Sequence, residues 1–173
     1  MASLADLSRL HLMIGDITGL KVDAIVTAAN ALLLGGGGVD GAIHRAAGPE
    51  LLAECRKVGG CPPGEARLTR GYRLPALHVI HTVGPIWQGG AAGEPQILAS
   101  CYRSCIDIAS SLGLRDIAFP AIVTGVYGFP REMAAHIAVT TVGSLLAQQQ
   151  LPESVIFVCF DTATFNAYRD ALG

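Results

Sequence analysis

Four consecutive glycines, Gly35 to Gly38, stand between a short apolar run and a segment of helical periodicity. Glycine loses more backbone freedom on folding than any other residue, so such a run implies unusual bending or a close approach. The apolar run before it, Ala24 to Ala29, is too short for a helix and is bounded by Asp23 and Asn30. It reads as a buried strand. After the glycines, Val39, Ala42, Ile43, Ala46 and Ala47 fall on one helical face, and Gly48-Pro49 ends the segment. A strand that turns through glycine into a helix presents free N–H groups at the helix start. Those groups attract anions, phosphate above all.

The residues after the glycines narrow the kind of phosphate site. A P-loop requires Gly-Lys-Ser or Gly-Lys-Thr, and here Val39 and Asp40 come next. Gly36, Gly38 and Gly41 satisfy a G-x-G-x-x-G pattern, as a glycine run does by accident. A dinucleotide fold also places that pattern tight after its strand, with an acidic residue at the end of the next strand. Here Asn30 to Leu34 intervene, and Glu50 and Glu54 fall on a helix. A nicotinamide-dependent dehydrogenase is therefore the runner-up reading.

The rest of the chain alternates strands and helices. Leu10 to Ile14, Glu65 to Thr69, His78 to Val83, Ile117 to Phe119 and Val155 to Phe160 read as strands. Pro49 to about Lys57, Pro95 to Leu112, Pro130 to Gln149 and Thr162 to Leu172 read as helices. Gly84 to Gly93 is a flexible loop holding Trp87. Crossovers of this length permit parallel pairing, so the expected class is α/β with helices on both faces of a mostly parallel sheet. The 173 residues suit one domain, spanning 1–173. With 51% hydrophobic and 15% charged residues, the chain can bury a large core and is not of the disordered class. The net charge of −2 comes without any basic run, so long nucleic acids are not expected partners. Five cysteines at irregular spacing, with no C-x-x-C pair, exclude a zinc ribbon or thioredoxin motif. They suit a reducing cytoplasm. Met1 to Leu10 has no signal-peptide character, and no uninterrupted membrane span is present.

Three loops lie where strands end, the place where open α/β sheets bind ligands. The first holds Asp16, which either caps the next turn or accepts from an amino group such as that of adenine. The second runs from Asn30, able to donate and accept, to Asp40, which is either a dipole-favourable cap or a carboxylate that activates water. The third, Ala121 to Phe129, is a second glycine-rich strand-to-helix loop. Its Tyr127 and Phe129 either cover a ribose or cap the core. Phe160 either stacks on a base or packs. The five histidines show no ligand-like spacing, and no metal is expected. His78 and His81 face opposite sides of their strand, and His44 supports the glycine loop or the core. No G-x-S-x-G elbow is present, and Cys55 and Cys61 have no evident base partner.

Three stretches together resemble MacroD-type macrodomains: Gly15-Asp16-Ile17-Thr18, then Val22 to Asn30, then Gly35 to Gly48. So do Cys61 to Ala66, His81 to Pro85, Phe119 to Ile122 and Gly125 to Gly128. Bacterial stand-alone members, including the O-acetyl-ADP-ribose deacetylase type, are the most similar. The resemblance implies a three-layer α/β/α fold with a central mixed, mostly parallel sheet that binds ADP-ribose. It implies removal of mono-ADP-ribose from acidic side chains, deacetylation of O-acetyl-ADP-ribose, or both, without metal or cofactor. By motif, Asp16 and Ile17 would hold adenine, with Phe160 on the same side. Asn30 would bind the distal ribose, and Asp40 would serve the water or the ribose beside it. Gly37, Gly38 and Val39, with Thr124, Gly125, Val126 and Tyr127, would wrap the pyrophosphate and distal ribose. The implied partners are ADP-ribose, its O-acetyl ester and ADP-ribosylated proteins, and a monomer is expected. A pure reader of ADP-ribose would use the same pocket without turnover.

The chain departs from the family pattern at Thr27, where Asn is usual, and at Val123, where a small polar residue is common. Strand alternation points Thr27 away from Asn30's side, so a supporting role is expected of it.

Overall fold

The computed structural model describes residues 7–122 and 128–173. Six strands form one sheet: β1 (Leu10–Ile14), β2 (Ala24–Ala28), β3 (Ala66–Arg70), β4 (His78–Thr82), β5 (Asp116–Pro120) and β6 (Ser154–Cys159). Their order is β1-β6-β5-β2-β4-β3. Every neighbouring pair is parallel except β3–β4, which is antiparallel. The helices are α1 (Gly38–Ala47), α2 (Pro49–Val58), α3 (Glu94–Ser111), α4 (Arg131–Leu146) and α5 (Thr162–Leu172). The expected mixed, mostly parallel sheet is present, and the element ends differ from the sequence reading by a few residues. Phe160 lies just past β6 rather than on it, and α4 stops at Leu146, short of Gln149.

Strand alternation divides the apolar residues between two faces. On one face Ile117, Phe119, Val155 and Phe157 pack under α3, α4 and α5. Tyr102 lies over Phe119 with ring centroids 5.0 Å apart, and Tyr168 over Phe157 at 5.1 Å. The two buried tyrosine hydroxyls answer each other at 3.2 Å, so neither is left without a partner. On the other face Ile25, Val79, Ala118 and Val158 meet Ile43, Leu51 and Cys55 of α1 and α2. Cys101 and Cys105 are buried in the first core, as small apolar residues would be.

The chain leaves β2 toward α1 on one face and leaves β5 toward α4 on the other. Neighbouring strands whose connections diverge in this way open a crevice at their carboxyl ends.

The 84–93 loop is not the loose segment that its composition suggests. The Glu94 carboxylate accepts backbone N–H groups of Gln88, Gly90 and Ala92 at 2.7–2.9 Å. Trp87 packs on Phe129 at 4.7 Å, and Phe129 is itself buried, which settles its role as core. Burial opposes ionisation of Glu94, but the backbone N–H groups together outweigh it and hold the carboxyl down at about 2. A depressed acid contributes stability above its unfolded pKa of 4.5 and loses it as pH falls toward 2. Glu94→Gln is therefore expected to lower the melting temperature at pH 7 and to flatten the fall in stability between pH 4.5 and pH 2. Thermal melts across that range check both.

Candidate functional site

A cleft of about 420 Å³ opens at the carboxyl ends of β1, β5 and β6, against the start of α1. One end is built by the β1 exit. Asp16 caps the single 3-10 turn Ile17–Gly19, its Oδ1 accepting from the Thr18 N–H at 2.9 Å and hydroxyl at 2.7 Å. Those bonds hold its carboxyl below the usual range, so it is an anion at neutral pH. Capping is thus its structural role, and it still lines the cleft. Ile17 is buried beside it, and Phe160 stands opposite, 91% exposed. Asp161 caps α5 by accepting from the Thr164 N–H at 2.7 Å, and Arg131 Nε donates to the Thr164 hydroxyl at 3.2 Å. So exposed an aromatic ring is not packed into the core.

The middle of the cleft is the glycine loop and the first turns of α1. Gly37 is the N-cap of α1 and supplies no side chain to its free N–H groups. Gly38 has φ +60°, a conformation that L side chains rarely adopt. Gly41 is required for a different reason. A Cβ there would stand 2.3 Å from the Gly36 carbonyl oxygen, so the loop lies directly on the helix. Gly38, Val39, Ala42 and Arg45 then form one stripe of α1 along the cleft. The single apolar face read from the sequence therefore needs correction. Ile43 and Ala47 face the sheet, Val39 and Ala42 face the cleft, and Ala46 is exposed. Helical periodicity cannot separate a sheet-facing side from a ligand-facing one.

Beneath the loop lie the two candidate catalytic residues. Asn30 Nδ2 donates to the Gly35 carbonyl at 2.8 Å, and its Oδ1 accepts from the Leu33 N–H at 3.0 Å. Leu33 holds φ +60°, unusual for leucine, and is fully buried. Among the described residues Asn30 thus clamps the loop with half of its bonding capacity, and one N–H and one lone pair stay unused. Asp40 is only 4% exposed. Its Oδ1 accepts from the Thr27 hydroxyl at 2.9 Å, and His44 Nε2 lies 3.8 Å away. Among the described residues Asp40 Oδ2 has no hydrogen-bond partner. Burial raises the Asp40 pKa, and the Thr27 hydroxyl and His44 partly offset it. The supporting role expected of Thr27 has a definite form, since its hydroxyl is the carboxylate's donor.

A buried polar group stands behind this pair. His81 Nε2 and the Thr69 hydroxyl are 2.9 Å apart, and Cys55 Sγ is 3.9 Å from the same nitrogen. Cys55 does therefore have an imidazole neighbour, which the sequence did not reveal. Burial pushes His81 down to about 4 and the thiol, with Asp40 and Glu54 adding to it, up to about 11. Thiolate and imidazolium are both disfavoured, so no Cys–His nucleophile forms.

Of the site residues read from the sequence, Asp16, Ile17, Gly38, Val39 and Phe160 meet around one cleft. Gly37 adjoins it, and Asn30 and Asp40 do not line it but lie by Gly36, their Nδ2 and Oδ2 being 3.5 and 3.8 Å from where a Cβ on that glycine would stand. Thr124, Gly125, Val126 and Tyr127 lie outside the described residues, as does Val123. Arg45, Asp161 and Thr164 line the cleft and were missed. Only Arg45 carried a signal, being seven residues from Gly38 on the same stripe.

Residues 26–138 match the Macro domain family. The chain belongs to that family. A macro domain-containing protein of Mesorhizobium japonicum is 58% identical over 166 residues, covering 96% of this chain and 94% of the relative. An O-acetyl-ADP-ribose deacetylase of Citrobacter koseri is 56% identical over 169 residues, covering 95% of this chain and 96% of its own. The crystal structure of the Trypanosoma brucei macrodomain in complex with ADP-ribose superposes with a TM-score of 0.91. That protein is 44% identical, and the match covers 97% of this chain and 73% of that one.

The Asp40 environment makes a paired prediction. A carboxyl whose folded pKa is raised favours the fold while protonated, and that contribution is lost as pH rises through the folded pKa. Asp40→Asn is therefore expected to raise the melting temperature at pH 7 by a few degrees, with the gain vanishing below about pH 4. Thr27→Val removes a bond to a charged group worth roughly 1.5–3 kcal/mol and is expected to lower stability at pH 7. It also moves the acid limb of any Asp40-dependent pH–rate profile upward.

Proposed function

We propose that this chain is an ADP-ribose-binding hydrolase that removes mono-ADP-ribose from acidic side chains, deacetylates O-acetyl-ADP-ribose, or does both. The observation that carries this reading is the buried Asp40 carboxylate, with one oxygen held by Thr27 and the other unpartnered among the described residues, beneath a glycine loop. Relatives named O-acetyl-ADP-ribose deacetylase and a homologous macrodomain in complex with ADP-ribose support it. Asp16, Ile17 and Phe160 take the adenine end. The α1 N-terminus, with Gly37, Gly38 and Val39, takes the diphosphate, joined by Thr124, Gly125, Val126 and Tyr127. The spare N–H and lone pair of Asn30 meet the distal ribose.

In this mechanism a water sits between Asp40 and the ligand's own diphosphate, and no metal takes part. Asp40 accepts a proton as the water attacks; at the acetyl carbonyl the ribose oxygen then leaves, taking that proton back as acetate forms, and at the ADP-ribosyl carbon the bond to the acceptor carboxylate breaks and the carboxylate leaves with the bonding pair. A desolvated carboxylate has a raised proton affinity, which suits a general base working near neutral pH. The chain acts as one domain and as a monomer. Its five unpaired buried thiols suit a cytoplasmic setting. Among the described residues no helix is long and apolar enough to cross a membrane.

The test is release of ADP-ribose from a mono-ADP-ribosylated acidic acceptor and of acetate from O-acetyl-ADP-ribose. Asp40→Ala is expected to lose roughly 10²–10⁴-fold in kcat, the range of general-base catalysis. It is expected to keep ADP-ribose affinity within severalfold. Binding without release in the wild type would leave a reader in place of an enzyme. Calorimetry showing NAD bound more tightly than ADP-ribose would favour the dehydrogenase reading.

A further inference from the structure

We propose a docking groove for the protein that carries the ADP-ribose, formed where α1 meets α2 and suited to an acidic peptide with an apolar neighbour. The proposal rests on the hydrolase reading and names the acceptor's own site. The adenine end lies at β1 and β6, so the reacting end lies at Asn30 and Asp40. The leaving group must depart from there.

A shallow, open groove of about 350 Å³ lies beside those residues. Its floor is Gly35 and His44. Gly35 is the residue whose carbonyl holds Asn30, and His44 Nε2 is 3.8 Å from Asp40 Oδ1. Two residues that line the groove thus touch the candidate catalytic pair, which does not itself line it. Leu34, Pro49 and Leu52 form its apolar walls, and Leu34 is 46% exposed. Two guanidinium groups flank it. Arg45 lines both the groove and the cleft. Arg73 lies over Gly48, with its Nε 3.0 Å from where a Cβ on that glycine would stand. Glu50 is the opposing charge, 3.9 Å from Arg73 in an exposed pair that holds its partner weakly.

Charge complementarity selects the occupant. Two cations beside apolar walls fit a peptide whose modified glutamate or aspartate has acidic and aliphatic neighbours. Among the described residues no aromatic ring lines the groove for bases to stack on, apart from the His44 imidazole, and no basic run leads away from it. A nucleic-acid end is thus the disfavoured occupant.

The experiment compares two substrates of the same candidate site. One is O-acetyl-ADP-ribose, whose acetyl group is too small to reach the groove walls. The other is a peptide with one ADP-ribosylated glutamate between leucine and aspartate. In Leu52→Glu and Arg73→Glu, kcat/KM for the peptide is expected to fall roughly tenfold, the scale of a lost interface anchor. Turnover of O-acetyl-ADP-ribose and affinity for ADP-ribose should stay within twofold. Arg73 is exposed, so its variant tests the idea even if Leu52→Glu disturbs the fold. Equal change for both substrates, or none for either, overturns the groove, as does sensitivity confined to an ADP-ribosylated oligonucleotide. A wild type inert on both substrates would sink the hydrolase reading instead. The groove then stands if the peptide binds more tightly than ADP-ribose in an Arg73-dependent way, and falls if it does not.

Discussion

The contact of the Gly36 carbonyl on Gly41 is the constraint on which the site depends. No side chain can be placed between them, because a Cβ on Gly41 would stand 2.3 Å from that oxygen. With the loop laid on α1, Gly38 and Val39 at the start of the helix line the cleft. The same closure puts Asn30 within reach of Gly35 and seats Asp40 against β2. A helix start left without a side-chain cap and a desolvated carboxylate below it are two results of one packing event.

That packing has an energetic cost at Asp40. A carboxylate taken out of water is disfavoured, and the Thr27 hydroxyl repairs only part of the loss. His81, Thr69 and Cys55 complete a buried polar layer that is neutral at physiological pH. Its neutrality means that Asp40 is not charge-compensated from behind. Its proton affinity is set by burial, one hydroxyl and His44.

The order of strands and helices was legible in the sequence because runs of apolar residues and glycine–proline breaks mark them directly. The glycine loop and its two flanking polar residues were legible for the same reason, since four glycines admit few structural roles. What stayed hidden were pairings across the fold. Thr27 and Asp40 are 13 residues apart and meet only because β2 and α1 pack in one register. Cys55 and His81 are separated by 26 residues, and nothing local links them. The double use of the Asn30 amide needed Leu33 to adopt its unusual backbone. The division of α1 between sheet and cleft depended on knowing where the ligand side lay. Glu94 carries no local mark of its part in organising the loop before it, because its three partners are backbone N–H groups that any residue supplies.

The strand order also acts as a ruler. Asp16 lies at the end of β1 and Asn30 comes after β2, with β6 and β5 between them. Three inter-strand steps span roughly 14 Å. A compound that occupies only the β1 and β6 end can exclude others there without ever touching the Asp40 carboxylate. A compound that spans the full width meets both ends at once. On the hydrolase reading proposed above, fragments of the ligand behave as occupants and only full-length molecules as substrates, so that length itself becomes a criterion of selection.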